Sequence, residues 1–250
     1  MAEFVFKNAK ILVGGADLSG DMNEVTVTRS ADILDKTVFG SSAKRRLAGL
    51  KDFQVAGGGF FEAATTQKIA SHIPSKLGTG STGTVVTVAQ NSSLGSICYS
   101  GQNVISEYSP SGKIGEMMKF NFACYGDGIA VRGVVMQAGT GLSTGLSLTP
   151  RNLGFRAPTQ RLYGIVQVRG VSSSGGTHVL RPRVQIASSS GFVAGLTTAI
   201  NMSVINWNGR VSGEMKSTAC STARTWYRFR IDSTGSTNSK MTGFLALAIQ

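Results

Sequence analysis

Three stretches of the chain alternate apolar and polar side chains with a period of two. In NEVTVTR (23–29), Val25 and Val27 share one face and Thr26 and Thr28 the other. In MMKFNFAC (117–124), Met118, Phe120, Phe122 and Cys124 oppose Met117, Lys119, Asn121 and Ala123. In WYRFRID (226–232), Tyr227, Phe229 and Ile231 point one way and Trp226, Arg228, Arg230 and Asp232 the other. Such patterns describe strands with one buried face, so Phe120 and Phe122 belong in the core and Lys119 on the opposite side. Apolar runs predict further strands at Phe4–Phe6, Ile11–Val13, Thr84–Val88, Ile129–Met136, Leu162–Arg169, Val179–Ala187 and Phe244–Ile249. Turn-forming clusters recur between them: GGADLSGD, GTGSTG, SPSGK, YGDG, SSSGG and STGSTNS. Many short strands at this spacing imply an all-β chain, a sandwich or barrel.

Helix signals are few. Ser41 or Ser42 is placed to cap a short helix from Ala43 to about Leu50, and a second is expected at Ala63–Ser71. The stretch AGTGLSTGLSLTPRNLG (138–154) has no clear element. The charge balance also changes there: residues 1–140 carry 13 Lys/Arg and 11 Asp/Glu, a net of +2, and residues 141–250 carry 12 and 2, a net of +10. The expected organisation is therefore a β domain over 1–140, a linker over 141–154 and a basic β-sandwich domain over 155–250.

Composition narrows the class further. Glycine, at 32 of 250 residues, is spread between alternating segments, which suits tight turns rather than disorder. No stretch reaches about 18 apolar residues, so no transmembrane helix and no membrane partner are expected. The N-terminal MAEFVFK lacks the apolar core of a signal peptide. Cys98, Cys124 and Cys220 fit neither a disulfide framework nor a zinc spacing, and read as buried free thiols.

Catalytic and cofactor chemistry finds little purchase. His72 and His178 lack further ligands at metal spacing. GTGSTGT lacks the Gly-Lys-Ser/Thr ending of a phosphate-binding loop, and GGGFF (57–61) suits a strand bend or bulge before Phe60 and Phe61. No serine sits in a nucleophile elbow, and nothing selects a carboxylate pair. A non-enzymatic protein with no cofactor and no metal is expected.

The basic second half leaves two readings open. Trp226, Arg228 and Arg230 on one strand face could stack bases in a single-strand groove or meet a neighbouring subunit. No motif for specific nucleic-acid reading accompanies them. Arginine suits either role through its planar fork.

Residues 11–62, ILVGGADLSGDMNEVTVTRSADILDKTVFGSSAKRRLAGLKDFQVAGGGFFE, resemble the opening of major tail (tail-tube) proteins of tailed bacteriophages. The shared features are an Asp-Leu-Ser-Gly turn, a V-T-V strand, D-x-T-x-F-G, a short basic Ala/Leu stretch, A-G-L-K-D and a strand ending in an aromatic pair. KIGEMMKFNFACYGDGIAVRGVVM (113–136) resembles later strands of the same unit. The resemblance covers about the first 140 residues.

It implies a tail-tube-like β-sandwich or barrel with one or two short helices, plus an appended C-terminal β-sandwich region. Copies would assemble into stacked rings, commonly of six, whose inner strands form a barrel that conducts double-stranded DNA. Partners would be neighbours in the ring, copies in adjacent rings and other tail or head proteins of the virion, made in the host bacterial cytoplasm. On that reading Thr37, Phe39 and Gly40 make a turn, Leu47 and Leu50 anchor the short helix, and Lys44, Arg45 and Arg46 dock onto an acidic patch of the next copy. A solvated basic face is the plainer alternative for those cations. Trp226, Arg228 and Arg230 complete the expected assembly residues. A capsid decoration protein is the second reading, and a surface adhesin with Trp207 and Trp226 as sugar platforms the third.

Overall fold

The computed structural model describes residues 8–39, 42–62, 69–78, 83–143, 147–154, 157, 159–172, 179–192, 196–203, 205–206, 212–220, 224–234 and 240–250. In chain order the strands are β1 (Lys10–Val13), β2 (Ala16–Asp17), β3 (Met22–Asp35), β4 (Arg46–Phe60), β5 (Thr84–Ala89), β6 (Ile97–Ser111), β7 (Lys119–Ser143) and β8 (Arg151–Asn152). There follow β9 (Arg161–Ser172), β10 (Val179–Ala187), β11 (Thr197–Asn201), β12 (Ile205–Asn206), β13 (Ser212–Ala219), β14 (Trp226–Thr234) and β15 (Lys240–Ile249). One short helix, α1 (Ile69–His72), and a 3-10 turn at Pro74–Lys76 lie between β4 and β5. Among the described residues the chain is thus nearly all β, in antiparallel sheets.

The larger sheet runs β13-β9-β15-β7-β6-β5-β1-β2, with β4 on β7 and β3 on β4. The smaller runs β11-β10-β14-β8, with β12 on β10. The expected linker does not part the sheets: β9, β13 and β15, all beyond residue 154, join the sheet of the first half. The reason is visible in β15. Phe244, Leu245, Ala246, Leu247 and Ala248 are all buried, and an uninterrupted apolar run needs cover on both faces. β15, central between β7 and β9, obtains it from Leu245 and Leu247 against the smaller sheet and from Phe244, Ala246 and Ala248 against Leu12, Val85 and Val131. The C-terminal sandwich is therefore the smaller sheet packed on the β7/β9/β15 end of the larger one, around Leu162, Val166, Leu180, Val184, Tyr227, Phe229, Ile231 and Leu245.

At the other end a second core gathers Ile11, Val13, Leu18, Phe53, Val55, Val86, Ile105, Phe120 and Phe122. Phe120 and Phe122 are buried and Lys119 is exposed, as the alternation requires. Between the two lies a third cluster, with Leu12, Val85, Val131, Tyr163, Ile165 and Phe244. It joins β1 and β5 to β9 and β15, so the sheet curls until its ends approach. Among the described residues no ladder closes the gap. Instead the fully buried Gln167 of β9 accepts the Gly15 N–H at 2.6 Å and donates to the Val85 carbonyl at 3.0 Å and the Thr87 hydroxyl at 3.1 Å. Gly15 is at φ +91°, and a Cβ there would lie 2.4 Å from the Val168 carbonyl oxygen, so only glycine permits this approach.

Several expectations need correction. The helix expected over Ala43–Leu50 is strand from Arg46 onward, paired to β3 through Ile33↔Ala48, Leu34↔Leu47 and Asp35↔Arg46. Helix-favouring Ala, Leu, Lys and Arg yield to a partner strand whose backbone groups need pairing. Leu47 and Leu50 therefore anchor no helix; both are exposed. YGDG is no turn but a bend inside the 25-residue β7. Of the helix expected at Ala63–Ser71, only Ile69–Ser71 lies within the described residues, in α1. Phe4–Phe6, Gly40, His178 and Trp207 lie outside them. GGG at 57–59 does face a bulge, since β3 carries the extra residue Asn23 opposite it; a Cβ on Gly59 would fall 2.0 Å from the Asp21 carbonyl oxygen. Cys98, Cys124 and Cys220 are buried and in no disulfide, and burial pushes the Cys98 and Cys124 thiols up to about 12.

Candidate functional site: two free strand edges and a projecting arm

β7 serves two different neighbours on one flank. β4 occupies it from Lys119 to Tyr125, and β15 takes over from Gly133. The two neighbours diverge around a cleft of about 690 Å3 lined by Lys51, Phe53, Tyr99, Ile129, Arg132 and Tyr163. Below this fork the order β3-β4-β7-β6 makes a four-stranded antiparallel sheet.

Both margins of that sheet are open among the described residues. β3 pairs with β4 alone. β6 pairs with β5 only through Cys98–Asn103; beyond the Leu77↔Ile105 bridge, its stretch from Ser106 to Ser111 pairs only with β7. Unpaired N–H and C=O rows of this length are templates for another strand. Because β4 and β7 lie between them, β3 and β6 run in opposite directions. The β3 margin of one copy and the β6 margin of another are therefore antiparallel partners.

The two faces of this sheet differ. The cross-strand rows Val25–Gly57–Phe122–Tyr108 and Val27–Val55–Cys124–Ile105 face the core. The alternate rows, Glu24–Gly58–Asn121–Ser109 and Thr26–Ala56–Ala123–Glu107, face away. That outer face is small, polar and carries the carboxylates of Glu24 and Glu107, with Lys119 near its end.

Past Arg29 and Phe53 the β3–β4 hairpin continues alone as an arm of about 20 Å, from six or seven residues at roughly 3.4 Å each. Thr37 closes its tip: its N–H donates to the Asp35 carboxylate at 2.8 Å, and its hydroxyl accepts the Arg45 N–H at 3.0 Å. The Thr37 hydrogen bonds hold the Asp35 carboxyl below its ordinary range. Ile33, Leu34, Val38, Leu47 and Leu50 are all exposed, Leu50 by 81%, and Phe39 entirely. Arg46 opens the returning strand beside them, and Lys44 and Arg45 lead into it. The opposite end of the sheet, at the β6–β7 turn, exposes Ile114, Met117 and Met118 next to Glu116. Exposed apolar side chains so concentrated mark surfaces that meet a partner.

The other expected group lies elsewhere. Trp226, Arg228 and Arg230 sit on the outer face of the smaller sheet, with Tyr227, Phe229 and Ile231 in the core beneath. The structure thus brings Thr37, Phe39, Lys44, Arg45 and Arg46 together on the arm and separates them from the tryptophan–arginine face. Sequence reasoning missed the β6 margin, because GQNVISEYSPS mixes buried Asn103 with exposed Glu107 and lacks a clean period.

No group of three or more His, Cys, Asp or Glu that could hold a metal occurs among the described residues. No helix among them is long and apolar enough to cross a membrane. His72 is buried against β1 and its Nε2–H donates to the Val13 carbonyl at 2.8 Å.

No family model matches the chain, and no curated protein matches it. Among solved structures it is similar to a protein of the virion of a native gene transfer agent particle, at 15% identity over 50% of this chain and 94% of that one, with a TM-score of 0.41. It is also similar to a protein of the tail of an empty gene transfer agent particle of C6 symmetry, at 18% identity over 48% and 92%, with a TM-score of 0.37. A third similarity, to the SPP1 Dit protein of the hub adsorption apparatus in phages infecting Gram-positive hosts, spans 98% of this chain and 100% of that one at 13% identity and a TM-score of 0.38. The structural neighbours are thus particle, tail and adsorption-hub proteins.

Proposed function

We propose that this chain is a structural, non-enzymatic virion protein that builds a phage-type tail tube. The β3 margin of one copy pairs with the β6 margin of the next, head to tail, so that a ring closes and its four-stranded sheets form one continuous antiparallel barrel. The observation that carries this reading is the pair of open, oppositely directed margins on a sheet whose one face is already buried. A heterologous contact of this kind makes a ring when its rotation closes, and strand addition supplies main-chain hydrogen bonds at every junction. The resemblance of residues 11–62 and 113–136 to tail-tube proteins supports the same assembly and a ring of six.

The face left toward the lumen is then the polar one. Glu24 and Glu107 set a field that repels phosphates, and the threonine, alanine, glycine, serine and asparagine around them offer few strong contacts. Each cation–phosphate contact would add salt-sensitive affinity and hold back moving DNA. A channel for DNA would require the net +10 second half to be turned away from this face.

The arm provides the contact between rings. Phe39, Val38, Leu34 and Leu47 bury against the next ring, and Lys44, Arg45 and Arg46 meet carboxylates there, with Glu116 at the opposite end of the sheet among the candidates. Thr37 holds the tip in shape. Negative-stain microscopy of the purified protein tests the reading: rings or tubes are expected. Monomers or trimers that bind only to capsid shells would refute it in favour of a decoration protein.

A further inference from the structure

The outer face of the smaller sheet is built differently from the arm. Arg183 lies directly across from Arg230, Gln185 from Arg228, and Arg181 from Asp232. Four guanidiniums and one carboxylate leave a net +3 on this ladder. Asp232 bridges the opposed Arg183 and Arg230, but one carboxylate balances only one of the four cations, so the face keeps an excess of positive charge.

Three of these arginines are held in the same way. Arg228 donates from Nε to the side-chain oxygen of buried Gln185 at 2.9 Å. Arg230 donates from Nε to Asp232 at 2.8 Å, and Arg183 pairs through Nε with the other oxygen of the same carboxylate. Tethering at Nε orients each guanidinium and leaves its two terminal nitrogens as the fork that grips carboxylate, sulfate or phosphate. Arg228 is further fixed over the Phe192 ring, 4.1 Å from its centroid. Phe192 is the one non-glycine among the described residues with a positive φ, 54°. For an aromatic residue this is a strained conformation, of the kind that clusters at binding sites. Burial first, and then Arg230 nearby, lower the Arg228 pKa.

The geometry points to this face as a binding site for a linear anionic polysaccharide. Arg181 to Arg183 and Arg228 to Arg230 each repeat at about 6.8 Å along a strand, and strands lie about 4.8 Å apart, so charge is offered as a regular array rather than a single socket. Trp226, on the same face beside Arg228, supplies a flat apolar surface for a sugar ring. A protein partner fits less well. Among the described residues the exposed large apolar side chains all precede residue 130 except Leu196, which lies outside the strands, whereas protein interfaces centre on an apolar core. Nucleic acid fits less well too, because single strands bind along successive aromatics and, among the described residues, this face offers Trp226 alone. The site is independent of assembly, so monomer and ring both test it.

The test is biolayer interferometry of the full chain on polygalacturonate and dextran sulfate at physiological salt, with neutral dextran and an oligothymidylate as comparators. Binding to both anionic glycans and not to dextran is expected. The double variant Arg228→Lys/Arg230→Lys keeps the charge but loses the forks, and binding should weaken at least about tenfold. The triple variant Lys44→Ala/Arg45→Ala/Arg46→Ala, which removes three charges from the arm, should change it less than about twofold. If the lysine variant melts early, Trp226→Ala replaces it, with a loss of about fivefold or more. Equal loss in the arm variant, tighter binding of oligothymidylate through the same arginines, or no binding to either glycan would overturn the proposal.

Discussion

Replacing Gln167 by leucine should unfasten the curl of the larger sheet. Leucine nearly conserves the volume but can neither accept nor donate. The three partners are not equally exposed to the loss. The Val85 carbonyl keeps the Gly14 N–H at 2.9 Å, and the Thr87 hydroxyl keeps the Ser100 hydroxyl at 2.9 Å. The Gly15 N–H, at 2.6 Å from Gln167, loses its acceptor in a buried place. An orphaned buried donor costs about 1–3 kcal/mol, and the two other lost hydrogen bonds about 1 kcal/mol each. Leucine's added apolar burial returns part of this, which leaves a net destabilisation of about 2–4 kcal/mol. Urea unfolding of the monomer measures it as a lower midpoint at unchanged slope. Amide exchange at Gly15 should accelerate more than at core β15 amides. A loss below about 1 kcal/mol with Gly15 still protected would mean that packing alone holds the ends of the sheet, and would refute the reasoning.

Other outcomes follow from the same geometry. Phe120→Ala, at a position with no exposed surface, should cost about 3–5 kcal/mol in urea unfolding; a loss under about 1 kcal/mol would put that face outside the core. Lys44→Ala/Arg45→Ala/Arg46→Ala should leave monomer melting unchanged and shorten tubes in a salt-dependent way, and wild-type tube length would exclude the docking role. Phe39→Ser should likewise spare the fold and, at about 1.5–3 kcal/mol per buried apolar side chain, weaken ring stacking by roughly tenfold to a hundredfold, read from the critical concentration for tubes. Burial, only partly offset by the Val13 carbonyl and reinforced by Lys76, lowers the His72 pKa below its ordinary 6.5. The unfolded chain then binds the proton first, so stability should fall as pH drops from about 6.5 toward the folded value, and His72→Gln should flatten that limb of a urea titration.

Much of the fold was legible where one face of a strand is buried. Val25 and Val27, Phe120 and Phe122, and Tyr227, Phe229 and Ile231 alternate in the sequence and lie inward in the structure. Legibility failed where the period breaks or the partner lies far away in sequence. The arm reads as helix because Ala, Leu, Lys and Arg favour one locally, and only β3, more than ten residues earlier, makes it strand. β6 hides behind Gln102, Asn103 and Glu107, with register shifts at Gly101/Asn103 and Ile105/Glu107. The glycines of YGDG signal a turn, yet Gly128, at φ +143°, permits a bend that lets β7 change neighbours. Gln167 carried no signal at all, since its role depends on the meeting of β9 with β1 and β5. Of the expected assembly residues, the arm cluster was legible as a basic, apolar stretch. The arginines of β14 were legible only as one face of a strand, because their tethers to Gln185, Asp232 and Phe192 are tertiary.

The central claim, that β3 of one copy completes β6 of the next, is tested most directly by hydrogen–deuterium exchange on monomer and assembled protein side by side. Peptides covering 22–30 and 104–111 should gain strong protection on assembly, while 226–234 stays as it was. Assembly that leaves both margins exchanging freely, with protection arising elsewhere, would contradict it.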